Sequence, residues 1–342
     1  MAGTMYRQGL LVVLGCSLGC SSGSSPARPP SDGGAPADGP SATADAPAGA
    51  ADAPDAAAGS ATRLAAAIKT NDLVVDEEAI YLLDPAGDPD TRVVRMSKLD
   101  GTQTVLASGI RLAANLRADD TDLYFDAQGA IQSIPRRGGA VRTVTGARSL
   151  GALAGERLYW IETSSGTLKH PEPPVLAVFS VPKTGGAPER LLTEMEGGGD
   201  RVIADATGLY FQAGDELQLL RHGASQPTTL ATLATGFISA LALDQTHAFY
   251  GLGDGSLMKV SKQGGAPSRI AGVQGFPLGV ALDATHVYFT DTEAGTVGRV
   301  AKSGGAPEVL AREQARPVAI AVDAASVYWV NINDGTLMKR AK

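Results

Sequence analysis

The stretch VALDATHVYFTDTEAGTVGRVAKSGGAPEVLA, residues 280–311, decides the fold. With the residues just before it, it holds four short apolar or alternating runs: Leu278–Leu282, Val287–Thr290, Thr296–Ala301 and Pro307–Leu310. Turn residues separate the runs, and apolar spacing of 3.6 is absent, so they read as strands. Gly304-Gly305 suits a tight hairpin because glycine tolerates positive φ. Asp283 suits the first turn because its carboxylate bonds backbone two residues on. We label the four runs a, b, c and d. The pattern recurs before this stretch, in LALDQTHAFYGLGDGSLMKVSKQGGAPSRIA (241–271), and after it, in IAVDAASVYWVNINDGTLMKRAK (320–342). Weaker copies stand at 203–223, 153–166, 117–145 and 74–84.

Each copy carries an aromatic residue in run b: Tyr81, Tyr124, Tyr159, Tyr210, Phe249, Tyr288 and Tyr328, spaced by 43, 35, 51, 39, 39 and 40 residues. Seven four-stranded copies at a period near forty predict a β-propeller rather than a helical solenoid. An aspartate precedes the aromatic by five residues in six copies (Asp76, Asp119, Asp205, Asp244, Asp283, Asp323), and Ala154 replaces it in the third. The last copy stops at Lys342, which aligns with Lys302, so it lacks run d. The segment ATRLAA (61–66) precedes the first copy with no a–b–c of its own. The expected fold is therefore all-β: a seven-bladed β-propeller of four-stranded antiparallel blades, closed by an N-terminal strand that joins the C-terminal blade. Such closure removes two open sheet edges.

The propeller domain is expected over 61–342. Residues 1–20 read as an export signal, with Arg7, a short apolar core Gly9–Leu14 and the sequence LGCSLGC. That core is too short to span a bilayer. Residues 21–60 contain only Ala, Ser, Pro, Gly, Asp, Thr and one Arg, so they read as a disordered tether that cannot offset its ordering entropy. The formal net charge of −7 lacks the basic excess of a nucleic-acid binder.

The apolar core ending in Gly-Cys resembles the lipobox of bacterial lipoproteins. The resemblance implies a diacylated cysteine, Cys20 after Ser17-Leu18-Gly19, with Cys16 after Val13-Leu14-Gly15 as the alternative. It implies a bacterial cell-envelope protein, lipid-anchored to the inner or outer membrane. In the propeller, Tyr288-Phe289-Thr290-Asp291, Tyr328-Trp329-Val330-Asn331 and Tyr159-Trp160-Ile161-Glu162 resemble the YWTD motif of LDL-receptor-type propellers. The flanking apolar-x-Asp and Lys-x-Gly-Gly are similar to NHL and streptogramin-lyase-like propellers. LDL-receptor-type propellers have six blades against seven copies here, and the likeness implies architecture rather than activity.

The four histidines are His170, His222, His247 and His286; His247 and His286 share one repeat position and read as turn residues. Residues 61–342 contain no cysteine, no His-Glu-x-x-His and no Gly-x-Ser-x-Gly, and NINDG (331–335) reads as a hairpin. No catalytic residue, metal or cofactor is expected. Departures from the repeat are more informative. The b–c connection is long in the third copy (Thr163–Pro174) and the first (Asp84–Asp90), and Glu196–Asp200 exceeds its siblings too. Longer loops often carry function. The candidate binding residues on this b–c and d–a face are Asp84, Asp88, Asp90, Glu162, Lys169, His170, Asp215 and Arg201. The expected function is a monomeric, membrane-tethered, non-catalytic module that binds a protein, glycan or small ligand there. A streptogramin-lyase-like or hydrolytic envelope enzyme and a structural assembly partner stand as alternatives.

Overall fold

The computed structural model describes residues 11–12, 60–68, 70–87, 90–146, 149–164, 174–197, 201–234 and 236–342. They form seven antiparallel blades, each with strand a innermost and d outermost. Blade 1 holds Leu73–Val75, Ala79–Gly87, Asp90–Ser97 and Gln103–Arg111. Blade 2 holds Ala114–Ala118, Asp122–Ala127, Ala130–Pro135 and Arg142–Thr145, and blade 3 Ala152–Ala154, Arg157–Ser164, Val175–Pro182 and Glu189–Glu196. Blade 4 holds Val202–Ala204, Gly208–Ala213, Glu216–Arg221 and Thr228–Thr232. Blades 5 and 6 hold Ile238–Leu243, His247–Leu252, Ser256–Ser261 and Ser268–Gly272, then Pro277–Leu282, His286–Asp291, Thr296–Ala301 and Glu308–Ala311. Blade 7 takes strands a to c from Pro317–Val322, Ser326–Asn331 and Thr336–Ala341.

The outer strand of blade 7 is Thr62–Ala65, which pairs antiparallel with Thr336–Ala341; Thr62 lies opposite Lys339 and Arg63 opposite Met338. The ring thus closes as the truncated last copy requires. Leu11–Val12 adds a two-residue strand inside blade 1, with Leu11 opposite Val75 and Val12 opposite Val74.

Inner strands are sealed on both faces: every residue of Pro277–Leu282 and of Pro317–Val322 is buried. Outer strands instead present their first residues to solvent, as Ser268–Gly272 does. The aromatic anchors lie between blades, with Tyr288, Tyr328 and Trp329 joining Ile80, Leu82 and Leu278 in one buried cluster across blades 6, 7 and 1. Inner strands crowd where blades 6 and 7 meet. A Cβ on Gly279 would stand 2.5 Å from the Val318 carbonyl oxygen, and Ala240 and Ala319 are likewise small at the equivalent positions.

One expectation changes in form. The long connection of the first copy is mostly regular structure: strands b and c run on to Gly87 and back from Asp90, with Asp84 opposite Arg92 and Gly87 opposite Asp90. Blade 3 does the same as far as Ser164 opposite Val175. Continued ladder pairing satisfies the backbone polar groups that an irregular loop would leave to solvent. The described extra residues therefore lengthen the b–c ladders of blades 1 and 3.

Candidate functional site

The a–b turns lie on one face with the c–d turns, and in every blade but the third the turn carries its aspartate. Asp283 Oδ1 accepts the amides of Thr285 (2.9 Å) and His286 (2.8 Å), and Asp244 does the same for Thr246 and His247, both at 2.8 Å. The second carboxylate oxygen has another partner. It receives the anchor hydroxyl five residues on, from Tyr288 at 2.8 Å, Tyr328 at 3.0 Å and Tyr124 at 3.1 Å. It also receives a cation from the c–d turn of the next blade. Lys342 binds Asp283 and Lys302 binds Asp244, both at 2.9 Å, and Lys183 binds Asp119 at 2.6 Å. Lys262 pairs with Asp205, Lys98 with Asp323 and Arg136 with Asp76. Each cation also lies over the preceding blade's aromatic anchor, as Lys302 does 5.3 Å from the Phe249 centroid. Aspartate, aromatic anchor and a cation thus form one inter-blade clasp, with lysine at five junctions and arginine at the sixth.

The clasps set the acidity of this face. Burial opposes ionisation of Asp119 and Asp244. The ammonium groups of Lys183 and Lys302 and the turn amides outweigh it, holding both carboxyls at about 2. Asp283 and Asp323 are displaced downward by the same contest. Burial and the adjacent Asp283 push Tyr288 up to about 12.

Within this face, four a–b turns surround a cavity of about 860 Å³ with an apolar floor of Val75, Leu243, Leu282 and Val322. Glu77, Thr246, Ala284 and Ala324 stand on its walls. His247 and His286 flank it with Nδ1 hydrogen-bonded to Thr246 and Thr285, each at 2.8 Å, which matches their reading as turn residues.

The opposite face carries the residues singled out from the sequence. Asp84 is 4% exposed and paired with Arg92, and Glu162 accepts the Trp160 indole at 3.0 Å. Arg201 is buried, whereas Asp90 and Asp215 are exposed. Asp88, Lys169, His170, Cys16 and Cys20 lie outside the described residues. The five described candidates are spread over blades 1, 3 and 4. Neighbouring polar residues at the ends of strand b serve the fold. Asp291 accepts the amides of Gly275, Phe276 and Ala294, and Gln212 accepts that of Ile238 at 2.8 Å. Asp126 accepts Asn115 Nδ2 at 2.6 Å and the Leu150 amide at 2.7 Å, while burial pushes its carboxyl up to about 6. Arg117, 2% exposed, donates to the Gly151 and Leu116 carbonyls beside it.

Among the described residues, no group of three or more His, Cys, Asp or Glu is placed to hold a metal ion, and no helix is long and apolar enough to cross a membrane. No family model matches the chain, and no curated protein matches its sequence. Solved structures do resemble it. Virginiamycin B lyase from Staphylococcus aureus superposes with a TM-score of 0.59 at 12% identity, covering 83% of this chain and 98% of that one. An oligogalacturonate lyase in complex with manganese gives 0.58 at 13% identity, covering 73% and 82%. The computationally designed Ika8 protein gives 0.53 at 13% identity, covering 81% and 96%. At these identities the likeness is one of fold.

The sequence reading missed the clasp. Its signal was present: the only copy without the aspartate, at Ala154, immediately precedes the only copy with histidine, His222, in place of the c–d lysine or arginine.

Proposed function

We propose that this chain is a non-catalytic binding module that receives its ligand in the funnel on the a–b face. The observation that carries the reading is the pre-formed cavity of about 860 Å³ walled by turns from four blades. Its turn aspartates, Asp76, Asp244, Asp283 and Asp323, are committed to turn amides and to lysine or arginine side chains, and Asp244 ionises at about 2. A carboxylate that acidic is a poor general base near neutral pH, because proton transfer is efficient when the catalytic pKa lies near the working pH. It is well suited to standing as a fixed charge. Apolar floor and polar rim fit a protein loop, a glycan or a small ligand. A second reading places the contact on the opposite face, and the longer b–c ladders of blades 1 and 3 favour it.

We further propose that the module is displayed from a bacterial envelope membrane through a lipid on Cys20. The composition of residues 21–60 supports this, since a polar, Pro-rich spacer suits a tether. Ala284→Trp with Ala324→Trp tests the funnel. Both alanines are exposed turn residues on its wall, and the aspartate caps remain intact. Partners and glycans captured by the full-length wild type should be lost by this variant and kept when residues 163–174 are shortened to a hairpin. The reverse pattern would move the site to the b–c face, and retention by both variants would overturn the two readings together.

A further inference from the structure

The six clasps leave one junction of the ring without one, between blades 3 and 4, and a cavity of about 440 Å³ opens there. Blade 3 carries Ala154 in place of aspartate and turns instead through Gly155 at φ +53°. Blade 4 carries His222. Its Nε2 lies 2.8 Å from the Asp205 carbonyl oxygen, as Lys98 Nζ reaches the Asp76 carbonyl at 2.6 Å on its own blade. The imidazole is shorter than a lysine chain and is exposed, and it packs 5.9 Å from the Tyr159 ring. The junction thus retains the aromatic anchor and a ring nitrogen at the lysine position but has no carboxylate between them.

The walls are basic. Arg157, Arg190 and Arg221 line the cavity with Tyr159 and His222, against the single carboxylate of Glu189. Glu189 is taken by Arg157 at 2.5 Å. Arg221 lines the cavity where its chain leaves strand c, and its guanidinium reaches away to the Lys262 carbonyl of blade 5 at 3.2 Å, which leaves Arg157 and Arg190 as the guanidinium groups on the blade 3 side. Guanidinium groups favour carboxylates, whose two oxygens match their paired donors. In three other blades the equivalent tyrosine hydroxyl donates to an aspartate carboxylate.

We propose that this notch is a binding site for a small organic carboxylate, which takes the place between Tyr159 and His222 that an aspartate side chain holds at the other junctions. The site is independent of the funnel. The ring supplies its reference geometry: six junctions show what sits between anchor and cation, and the seventh pairs a cationic wall with open space of ligand size.

The test uses the full chain labelled with ¹⁵N-histidine, titrated with succinate at constant ionic strength and neutral pH, with chloride as control. The expected result is a saturable shift of the His222 ring resonances, with His247 and His286 unmoved. Inorganic phosphate, which guanidinium forks also bind in pairs, is the competing anion and should bind more weakly than succinate because it has no carbon chain to lie against Leu191, Leu209 and Leu220. Ala154→Asp supplies the carboxylate internally and should weaken succinate binding by at least about tenfold. If that variant fails to fold, Tyr159→Phe serves instead and should weaken binding by roughly fivefold through the lost hydroxyl hydrogen bond. No saturable shift at His222, tighter binding of phosphate, or unchanged affinity in the folded variants would each overturn the proposal.

Discussion

Replacing Asp244 with asparagine isolates what one clasp contributes. Asparagine keeps an oxygen for the Thr246 and His247 amides, so the a–b turn survives, and the charge facing Lys302 is removed. The two side chains are 23% and 17% exposed, between the surface regime of about 0–1 kcal/mol and the buried regime of about 3–5 kcal/mol for losing a partner. Displacement of the carboxyl from 3.8 to about 2 corresponds to about 2.4 kcal/mol at full strength and to about 1.5 kcal/mol after solvent screening. The sign follows from the lowered folded value. The stabilisation is complete above the unfolded value of 3.8 and disappears as pH falls through about 2. Urea unfolding followed by fluorescence of the buried Trp160 and Trp329 gives the measurement. The variant should be about 1.5 kcal/mol less stable than wild type at pH 7, and the difference should shrink to about a third of that at pH 2.5. Lys302→Met should cost a similar amount, and the double variant much less than the sum of the two. A difference of the same size at both pH values, or full additivity, would refute the clasp as an electrostatic link.

Three further outcomes are expected. Deleting residues 61–67 should lower the thermal midpoint far more than deleting 21–60, since the first removes the strand paired with Thr336–Ala341; equal midpoints would contradict closure by Thr62–Ala65. The Asp126 carboxyl carbon should titrate near pH 6 by NMR, so that this group favours the folded state at pH 4 and loses that contribution as pH rises through 6; a midpoint below 4 would show the site to be wet. Cys20→Ala should release the chain from membranes in detergent partitioning whereas Cys16→Ala should not, and attachment of the double variant would rule out lipidation.

Architecture was legible because it is written in repetition. Seven aromatic anchors near a forty-residue period fixed blade number, and the missing run d at Lys342 fixed the closure partner. Gly304-Gly305 and Asp283 marked turns that the structure places where expected, with Gly304 at φ +97°. The chemistry of the faces was less legible. Asp84 and Glu162 read as loop carboxylates, yet Asp84 is held by Arg92 opposite it and Glu162 by Trp160 two residues away. Acidic residues at strand ends look alike in sequence whether they meet solvent or cap a neighbouring segment. Lys98 and Asp323 are separated by most of the chain, and only the ring brings them together. The funnel has no sequence signature of its own, because it is the space that four ordinary turns leave between them.

Closure by Thr62–Ala65 also imposes an order on folding. The partner strand is Thr336–Ala341, so the segment waits unpaired while the residues between 65 and 336 are synthesised. Six blades can mature one after another from contacts close in sequence, but the final seam joins positions 277 residues apart, Thr62 and Lys339. Pairings this remote form late and slowly. A nascent or truncated chain lacking the last twenty or so residues carries two exposed blade edges and an unsatisfied strand, the features that recruit chaperones and proteases. The seam therefore depends on the two ends of the propeller meeting: the ring latches only once Thr336–Ala341 has been made.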